Sequence, residues 1–570
     1  MQRSQSAKEG QQRLDSKISV VSESAGLISD ANQLEVIYRR ISRRVLLLFV
    51  IAVILNHIDR TNLAYAAITF NRDLGFGPQT YGLGSALFFV TFCIFQVPCN
   101  LMMVRVGIRR WLALLLVGWG CVASCFALVH NAASFFVLRL LLGVFESGAL
   151  PAMWWHLSQF LPQERLTKPY MWMTVGVLLA QILGGPLAAA FLSMDGVGGL
   201  KGWQWLFVLE GFPSVLMGVV VFFALPDSYK VAPWLSEHDK MLLEADMAAH
   251  IKNSPPREHI PRNPFKLLRM AFSNPMLIYL CFVGIMQACA SHTFILWLPT
   301  IIEALINGRA LGKTPVAKGA AAAHAVSAAS HNKLRSVILP VLLAAVPYTV
   351  GAITAWLVAA SSQKRKEVYY HAAGSMFGAG IFFLLFPVLT KVSMAGGFVC
   401  LVMVAAGGSA AVPPKTALVA HACRGPSQVV GMPLYNSISV VGMPLYNSIS
   451  VIGGFVGPFV TGSIVQSSGT GFTIVAYVLG AMVFICGVLT VTLKFLEKFM
   501  KPPVGSADAN DDFWEDMPGQ QALPVTRDPS GVSPGGSGVT GDTGVTSGYA
   551  SKGVDGPADV RSRVAGLGKE

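Results

Sequence analysis

The amino-acid sequence predicts an all-α membrane protein whose twelve transmembrane helices form two six-helix halves. Of its 570 residues, 53% are hydrophobic and 13% are charged, whereas soluble domains are about a quarter charged. The mean hydropathy is +0.55. A polar stretch of about fifty residues, which includes "DSYKVAPWLSEHDKMLLEADMAAHIKNSPPREHIPRNPFK", separates six apolar stretches from six others.

Apolar stretches long enough to span a bilayer recur along the chain. They begin near residues 45, 81, 111, 134, 170, 203, 276, 336, 369, 393, 430 and 471. At 1.5 Å per residue, about 20 residues cross the ~30 Å of hydrocarbon in a bilayer. No part of the chain shows the short alternating strands of a membrane barrel. Two halves joined by a polar connector are typical of transporters built from repeats, with the substrate site near mid-membrane.

Basic residues lie at one predicted face of the membrane. They occur in "RRISRR" before the first span, in the links "RVGIRR", "QERLTK" and "QKRKE", and in "KFLEKFMK" after the last span. The positive-inside rule therefore predicts that both termini are cytosolic. The net charge of +13 is explained by topology and contact with the lipid bilayer, so we expect no nucleic-acid partner. Plasma and organelle membranes are not distinguished by this pattern.

These boundaries predict five segments. Residues 1–43 form a cytosolic tail, 44–226 the N-terminal six-helix half, 227–272 a cytosolic connector, and 273–500 the C-terminal half. Residues 501–570 are rich in Gly, Ser, Asp and Thr, a composition typical of a disordered tail. The first 40 residues lack the apolar core of a cleaved signal.

Four charged residues fall inside predicted spans. They are Asp59 and Arg60 in the first span and Arg139 and Glu146 in the fourth, where a charge costs at least ~2.5 kcal/mol on insertion scales. Arg139, Gly143 and Glu146 share one helical face. Arginine can grip a carboxylate with two parallel hydrogen bonds, and a carboxylate in a poorly hydrated cavity can hold and release a proton. The alternative is that the four residues form ion pairs that only lock the N-terminal half together.

Several longer motifs resemble one family. The stretches "HIDRTNLAYA", "FFVLRLLLGVFESGALPAMWWHLSQFLPQERLTKPYM", "DGVGGLKGWQWLFVLEGFPSVLMG" and "LWLPTII" are similar to the anion:cation symporter family of the major facilitator superfamily. The likeness extends over about residues 40 to 500. It implies the major facilitator fold and a carrier of small organic anions, usually coupled to protons.

The resemblance also implies roles for individual residues. Asp59 and Glu146 correspond to proton carriers, and Arg60 and Arg139 to anion ligands. Gln181, His292 and Asn447 are further candidates for substrate contact, although Gln181 and His292 can equally be polar residues packed between helices. Gate or topology motifs at the cytosolic edge contain Gly107, Arg109, Arg110, Glu164 and Arg165.

One stretch is duplicated: "VGMPLYNSISV" occupies residues 430–440 and again 441–451. Deleting either copy restores the spacing between Pro413-Pro414, one asparagine and Gly453-Gly454 that the family shows. Eleven extra residues lengthen a helix by ~16 Å, about half a bilayer. The pattern favours an accidental in-frame duplication or a gene-model error over a dedicated device. The second copy, next to "GGFVGP", is expected to keep the membrane position.

Taken together, the sequence predicts proton-coupled symport of a small carboxylate by alternating access. We expect no enzymatic activity, no cofactor and no metal site. An inactive or receptor-like relative, and a facilitator or exporter of neutral sugars or drugs, are the alternatives. Two arginines at mid-membrane depth favour an anion over a neutral substrate.

Overall fold

The computed structural model describes residues 30, 32–162, 165–252, 272–307, 334–422, 437–467, 472–496 and 499. Twelve helices in these residues are long and apolar enough to cross a membrane. In chain order, α1 to α12 are Asn32–Leu74, Pro78–Met103, Ile108–Leu128, Ala132–Phe160, Lys168–Ser193, Gly202–Ala224, Pro275–Ile306, Ser336–Arg365, Tyr369–Val392, Met394–Val419, Tyr446–Ser467 and Phe472–Leu496. The predicted fold class, all-α with twelve spans, is confirmed.

The outer surface of this bundle is apolar. Large hydrophobic side chains are exposed on many helices, including Phe223, Trp356 and Val388. In water such a surface would be costly, whereas in a bilayer it contacts hydrocarbon. The protein is therefore an integral multi-pass membrane protein.

The two halves, α1–α6 and α7–α12, contact each other through closely packed helices. A Cβ on Gly82 of α2 would lie 2.6 Å from the carbonyl oxygen of Pro458 in α11, so only glycine permits this approach. The Tyr81 hydroxyl donates a 2.8 Å hydrogen bond to the Leu296 carbonyl oxygen of α7, and its ring packs edge-on against Trp297. These contacts lie at the end of the bundle opposite to the basic links.

Further along α2 the contacts between halves become polar. The Ser448 hydroxyl near the start of α11 donates a 2.6 Å hydrogen bond to Gln96, which lies beyond the middle of α2. On the opposite face of α2, Ile94, Val97 and Leu101 are exposed, as expected for side chains that face lipid. The contacts of α2 with the C-terminal half thus extend from its non-basic end at least as far as Gln96.

The first helix begins earlier than the predicted boundary at residue 44. It starts at Asn32 because the residues before the span pack on a helix of the connector, Glu237–Lys252. Arg40 forms a 3.1 Å ion pair with Asp239, and Gln33 donates to the same carboxylate. Burial opposes ionisation of Asp239, but hydrogen bonds from Gln33 and Ser236 and the charge of Arg40 outweigh it and lower its pKa.

The duplicated stretch is partly within the described residues. A helix runs from Ser437 to Ser467, so the whole second copy is helical and continuous with Gly453-Gly454. Most of the first copy, including Asn436, lies outside the described residues, as does the tail 501–570. The apolar span begins at Tyr446, later than the predicted start near residue 430.

The position of the second copy in a continuous helix leads to a prediction about the duplication. A variant that lacks residues 430–440 retains one asparagine in register with both Pro413-Pro414 and Gly453-Gly454. We expect equal or higher thermal stability in detergent and equal or faster transport, because ~16 Å of surplus helix must otherwise tilt, protrude or break. Asn447→Ala should impair transport more than Asn436→Ala. Loss of transport on deletion would show that both copies are needed.

Candidate functional site

A cavity of about 60 Å³ lies between the two halves. Helices α1, α2, α4 and α5 of the N-terminal half and α7 of the C-terminal half form its wall. The lining residues are His57, Arg60, Thr61, Phe88, Phe89, Arg139, Gln181, His292, Ile295 and Leu296. Four of the predicted site residues, Arg60, Arg139, Gln181 and His292, thus line one cavity.

Arg60 and Glu146 form the ion pair of this site. The Arg60 Nε atom lies 2.6 Å from Glu146 Oε2, and the Asn56 amide donates to the same oxygen at 3.0 Å. The Glu146 side chain is fully buried, while that of Arg60 keeps 27% of its surface exposed. The Arg60 guanidinium also lies over the Phe92 ring, 4.8 Å from its centroid. The pair therefore joins α1 to α4 and leaves part of the guanidinium open to the cavity.

Arg139 is held by neutral groups. Its Nε and Nη2 atoms donate to the carbonyl oxygens of Gly84 and Ser85 in α2, at 3.2 and 3.1 Å. Only 3% of its surface is exposed, and its guanidinium lies over the Phe88 ring at 5.0 Å. Among the described residues, no carboxylate lies within 4 Å of Arg139. A buried positive charge on a cavity wall without a close counter-charge is suited to binding an anion.

Asp59 is buried and is not among the residues that line the cavity. It accepts a 2.7 Å hydrogen bond from Asn62 through Oδ1, while Oδ2 has no partner among the described residues. Its exposed fraction is 0%.

The predicted face of α4 is also reproduced, since Arg139, Gly143 and Glu146 are all buried in one helix. Of the two arginines, only Arg60 is ion-paired with a site carboxylate in the described chain.

Gly143 lets α4 lie close against α2. A Cβ at this position would clash with the Phe88 carbonyl oxygen and the Thr91 hydroxyl. That hydroxyl donates a 2.7 Å hydrogen bond to the Leu140 carbonyl oxygen. The same contact positions Phe88 between the two guanidinium groups.

We therefore expect Gly143→Ala to lower the stability of the folded protein by about 1–3 kcal/mol, because one methyl group overpacks the α2–α4 interface. The matched control is Gly378→Ala, where a Cβ meets nothing within 4 Å. Thermal unfolding in detergent measures both. Equal melting temperatures for the two variants would contradict the tight contact.

The remaining predicted substrate residues differ in position. His292 lies at the cavity wall, bonded through Nδ1 to the Ala288 carbonyl oxygen at 2.9 Å and edge-on to Phe89 at 4.5 Å. Gln181 also lines the cavity. Asn447 is exposed and is not among the lining residues, so its substrate contact stays a prediction.

Comparison with known proteins shows to which family the chain belongs. The model of the Major Facilitator Superfamily matches residues 49–445. The chain belongs to the major facilitator superfamily. Since this is a family of transporters, the protein is a membrane transporter, and the predicted membership of the superfamily is confirmed.

Individual relatives agree with this assignment. A protein from Agrobacterium vitis, whose name proposes tartrate transport, is 29% identical over 463 residues, 81% of this chain and 92% of the relative. The quinolone resistance transporter of Acinetobacter baumannii is 28% identical over 440 residues, 76% of this chain and 89% of the relative. The crystal structure of a D-xylose-proton symporter has a TM-score of 0.55 and 12% identity, covering 78% of this chain and 96% of that one. At this identity, the likeness to the symporter shows the fold alone.

The sequence of this superfamily member also contained signals for one residue of the cavity lining and one buried acid outside it that were not predicted. His57 lies on the cavity wall one turn before Arg60, and its position three residues before a recognised charge was the available signal. Glu210 in α6 is 4% exposed, and neither carboxylate oxygen has a partner among the described residues. An acid within the apolar run "WLFVLEGFPSV" was itself a signal for a membrane-buried functional group.

Three of the predicted gate residues, Gly107, Arg109 and Arg165, connect elements at the basic end. Gly107, with φ +89°, turns the chain between α2 and α3, and the Arg109 backbone N–H donates to Asp227 at 2.9 Å. Arg165 pairs with Glu35 at 2.7 Å, and Arg110 is exposed. Glu164 lies outside the described residues. These contacts join elements of the N-terminal half and the connector, while a gating role stays a prediction.

Proposed function

We propose that the protein carries small organic anions, carboxylates in particular, by proton-coupled symport with alternating access. The observation that carries the proposal is Arg139, a buried guanidinium on the cavity wall that is bonded only to backbone carbonyls in the described chain. A substrate carboxylate would supply the missing negative charge. Arg60, at the same cavity, offers a second positive group for the anion.

Arg60 links substrate binding to proton binding in this proposal. Its guanidinium is shared between Glu146 and the cavity. A proton on Glu146 removes the negative charge that holds Arg60, so the guanidinium is released towards an anion in the cavity. Loss of the proton restores the ion pair and expels the anion. Proton and anion therefore favour each other's binding, which is the requirement for symport.

The packing between the halves supports alternating access. Contacts such as Gly82 against Pro458 hold the non-basic end closed. We infer that the described state opens towards the basic face, and that this face and both termini are cytosolic.

A drug or neutral-compound exporter is the second candidate. The resemblance to a quinolone resistance transporter favours it, as do the aromatic and aliphatic side chains of the cavity wall, Phe88, Phe89 and Ile295. In that case the arginines would serve chiefly to pack the helices. The two candidates differ in whether a negative charge on the ligand is necessary for binding.

A ligand-stabilisation screen distinguishes a carrier of organic anions from an exporter of drugs or neutral compounds. We expect small carboxylates, such as sugar acids and dicarboxylates, to raise the melting temperature of the purified transporter. The matched neutral sugars and amides should leave it unchanged, because they cannot supply the counter-charge for Arg139. Stabilisation by neutral drugs and neutral sugars, without stabilisation by small carboxylates, would favour the exporter.

A further inference from the structure

A second pocket lies at the basic end of α1, far along that helix from the central cavity. It is lined by Arg40, Arg43, Arg44 and Trp234, and its volume is about 260 Å³. Three of these residues come from α1, where a π-helical turn spans Ser42–Leu46. Positions 43 and 44 each lie about one helical turn after position 40, so the three arginines share one side of the helix.

The positive charges of this pocket are only partly compensated. Arg40 is paired with Asp239 at 3.1 Å. Arg43 and Arg44 are exposed, and no carboxylate of the described chain lies within 4 Å of either. Two guanidinium groups are thus available to an anion, each with a planar fork of donors that matches phosphate oxygens.

Trp234 of the connector forms the other wall. The Arg44 guanidinium lies 5.6 Å from the centre of its ring, and the ring is nearly parallel to that of Phe160, with centroids 6.4 Å apart. The Trp234 indole N–H is buried, so Trp234 contributes the surface of its ring to the pocket. The pocket therefore combines two unpaired cations with an aromatic wall.

An apolar track continues from the pocket into the membrane. About one turn after Arg43 and Arg44, Leu47 exposes 54% of its surface, and one turn further Ile51 exposes 39%. Cationic groups at a helix end above an exposed apolar stripe match the headgroup and acyl chain of one lipid. A soluble phosphate would use the arginines but gain nothing from Leu47 and Ile51.

We propose that this pocket binds the phosphate of an anionic phospholipid, with an acyl chain along Leu47 and Ile51. The lipid phosphate binds Arg43 and Arg44 on α1, beside the Trp234 ring of the connector. Bound lipid therefore occupies the pocket between the first helix and the connector. The site is separate from the substrate cavity, and the proposal does not depend on which substrate is carried.

Native mass spectrometry of the full chain in non-ionic detergent tests the site, with phosphatidic acid as the probe. We expect saturable binding of phosphatidic acid, weak binding of phosphatidylcholine, and about a tenfold or greater loss of phosphatidic acid affinity in Arg43→Gln/Arg44→Gln. Because both side chains are exposed, the variant should fold, which its melting temperature checks. Arg43→Lys/Arg44→Lys keeps the charge but not the fork and should lose less affinity.

Arg105→Gln is the matched control, since Arg105 is an exposed arginine at the same end of the bundle but does not line the pocket. It should bind phosphatidic acid within about twofold of the unaltered protein, as expected for loss of one distant surface charge. If the control and the double variant lose equal affinity for phosphatidic acid, the effect is one of general surface charge and the proposal is overturned. If inorganic phosphate displaced bound phosphatidic acid as effectively as unlabelled lipid does, the occupant would be a soluble phosphate and not a lipid.

Discussion

Arg139→Lys should weaken binding of a carboxylate substrate by about tenfold to a hundredfold and slow transport as well. Lysine keeps the positive charge but lacks the planar fork that binds the Gly84 and Ser85 carbonyl oxygens while presenting a donor to the cavity. Loss of one charge-assisted hydrogen bond, worth about 1.5–3 kcal/mol, sets this range. Ligand-dependent thermal shifts and initial uptake rates measure affinity and transport separately.

The control for this prediction is Arg105→Lys, at an exposed position outside the cavity. It should transport and bind as the unaltered protein does. Arg60→Lys should also lose affinity, because Arg60 lines the same cavity. Unchanged carboxylate affinity in both Arg60→Lys and Arg139→Lys would remove the two arginines from the substrate site.

Neutralising the buried carboxylates should separate transport from its driving force. In Glu146→Gln and Asp59→Asn, we expect substrate exchange across the membrane to continue while accumulation driven by a pH gradient disappears. Each variant removes an acid that is buried in the N-terminal half and can carry a proton, yet leaves Arg139 at the cavity. Glu146→Gln should also raise carboxylate affinity at neutral pH, because it frees Arg60 from its ion pair.

Glu237→Gln serves as the control, since that carboxylate lies on the connector helix and exposes 85% of its side chain. It should retain accumulation. The measurement is the steady-state ratio of labelled carboxylate inside and outside proteoliposomes, with and without a pH gradient. If both Glu146→Gln and Asp59→Asn still accumulate substrate against its gradient, neither acid is the proton carrier.

The helices were predictable because apolar length is a local property of the sequence. The start of α1 was not, since residues 32–43 are held in a helix by partners more than 190 positions away, such as Asp239 for Arg40 and Asp246 for Tyr38. The spacing of residues in the sequence does not indicate contacts over such long separations. The same limit applies to the connector, whose helix packs on this extension.

Site residues were predictable where they are charged and lie inside a membrane span, because a charge at that depth is costly and indicates a specific role. Arg60, Arg139 and Glu146 are close to one cavity for that reason. Their partners were not predictable, because pairing depends on how neighbouring helices are rotated: Arg60 reaches Glu146, whereas Asp59 bonds within its own helix to Asn62. Asn447 was chosen because the family places an asparagine at this distance from Gly453-Gly454, and the described structure leaves it exposed and outside the cavity lining.

Uptake into proteoliposomes is the most direct test of proton-coupled anion transport. Vesicles that contain the purified protein are loaded at neutral pH and placed in acidic buffer with labelled small carboxylates identified by the stabilisation screen. The account predicts transient accumulation above the external concentration, collapse of that accumulation by a protonophore, and its absence in vesicles without protein. Uptake that only equilibrates the carboxylate, at a rate and extent independent of the pH gradient, would contradict it.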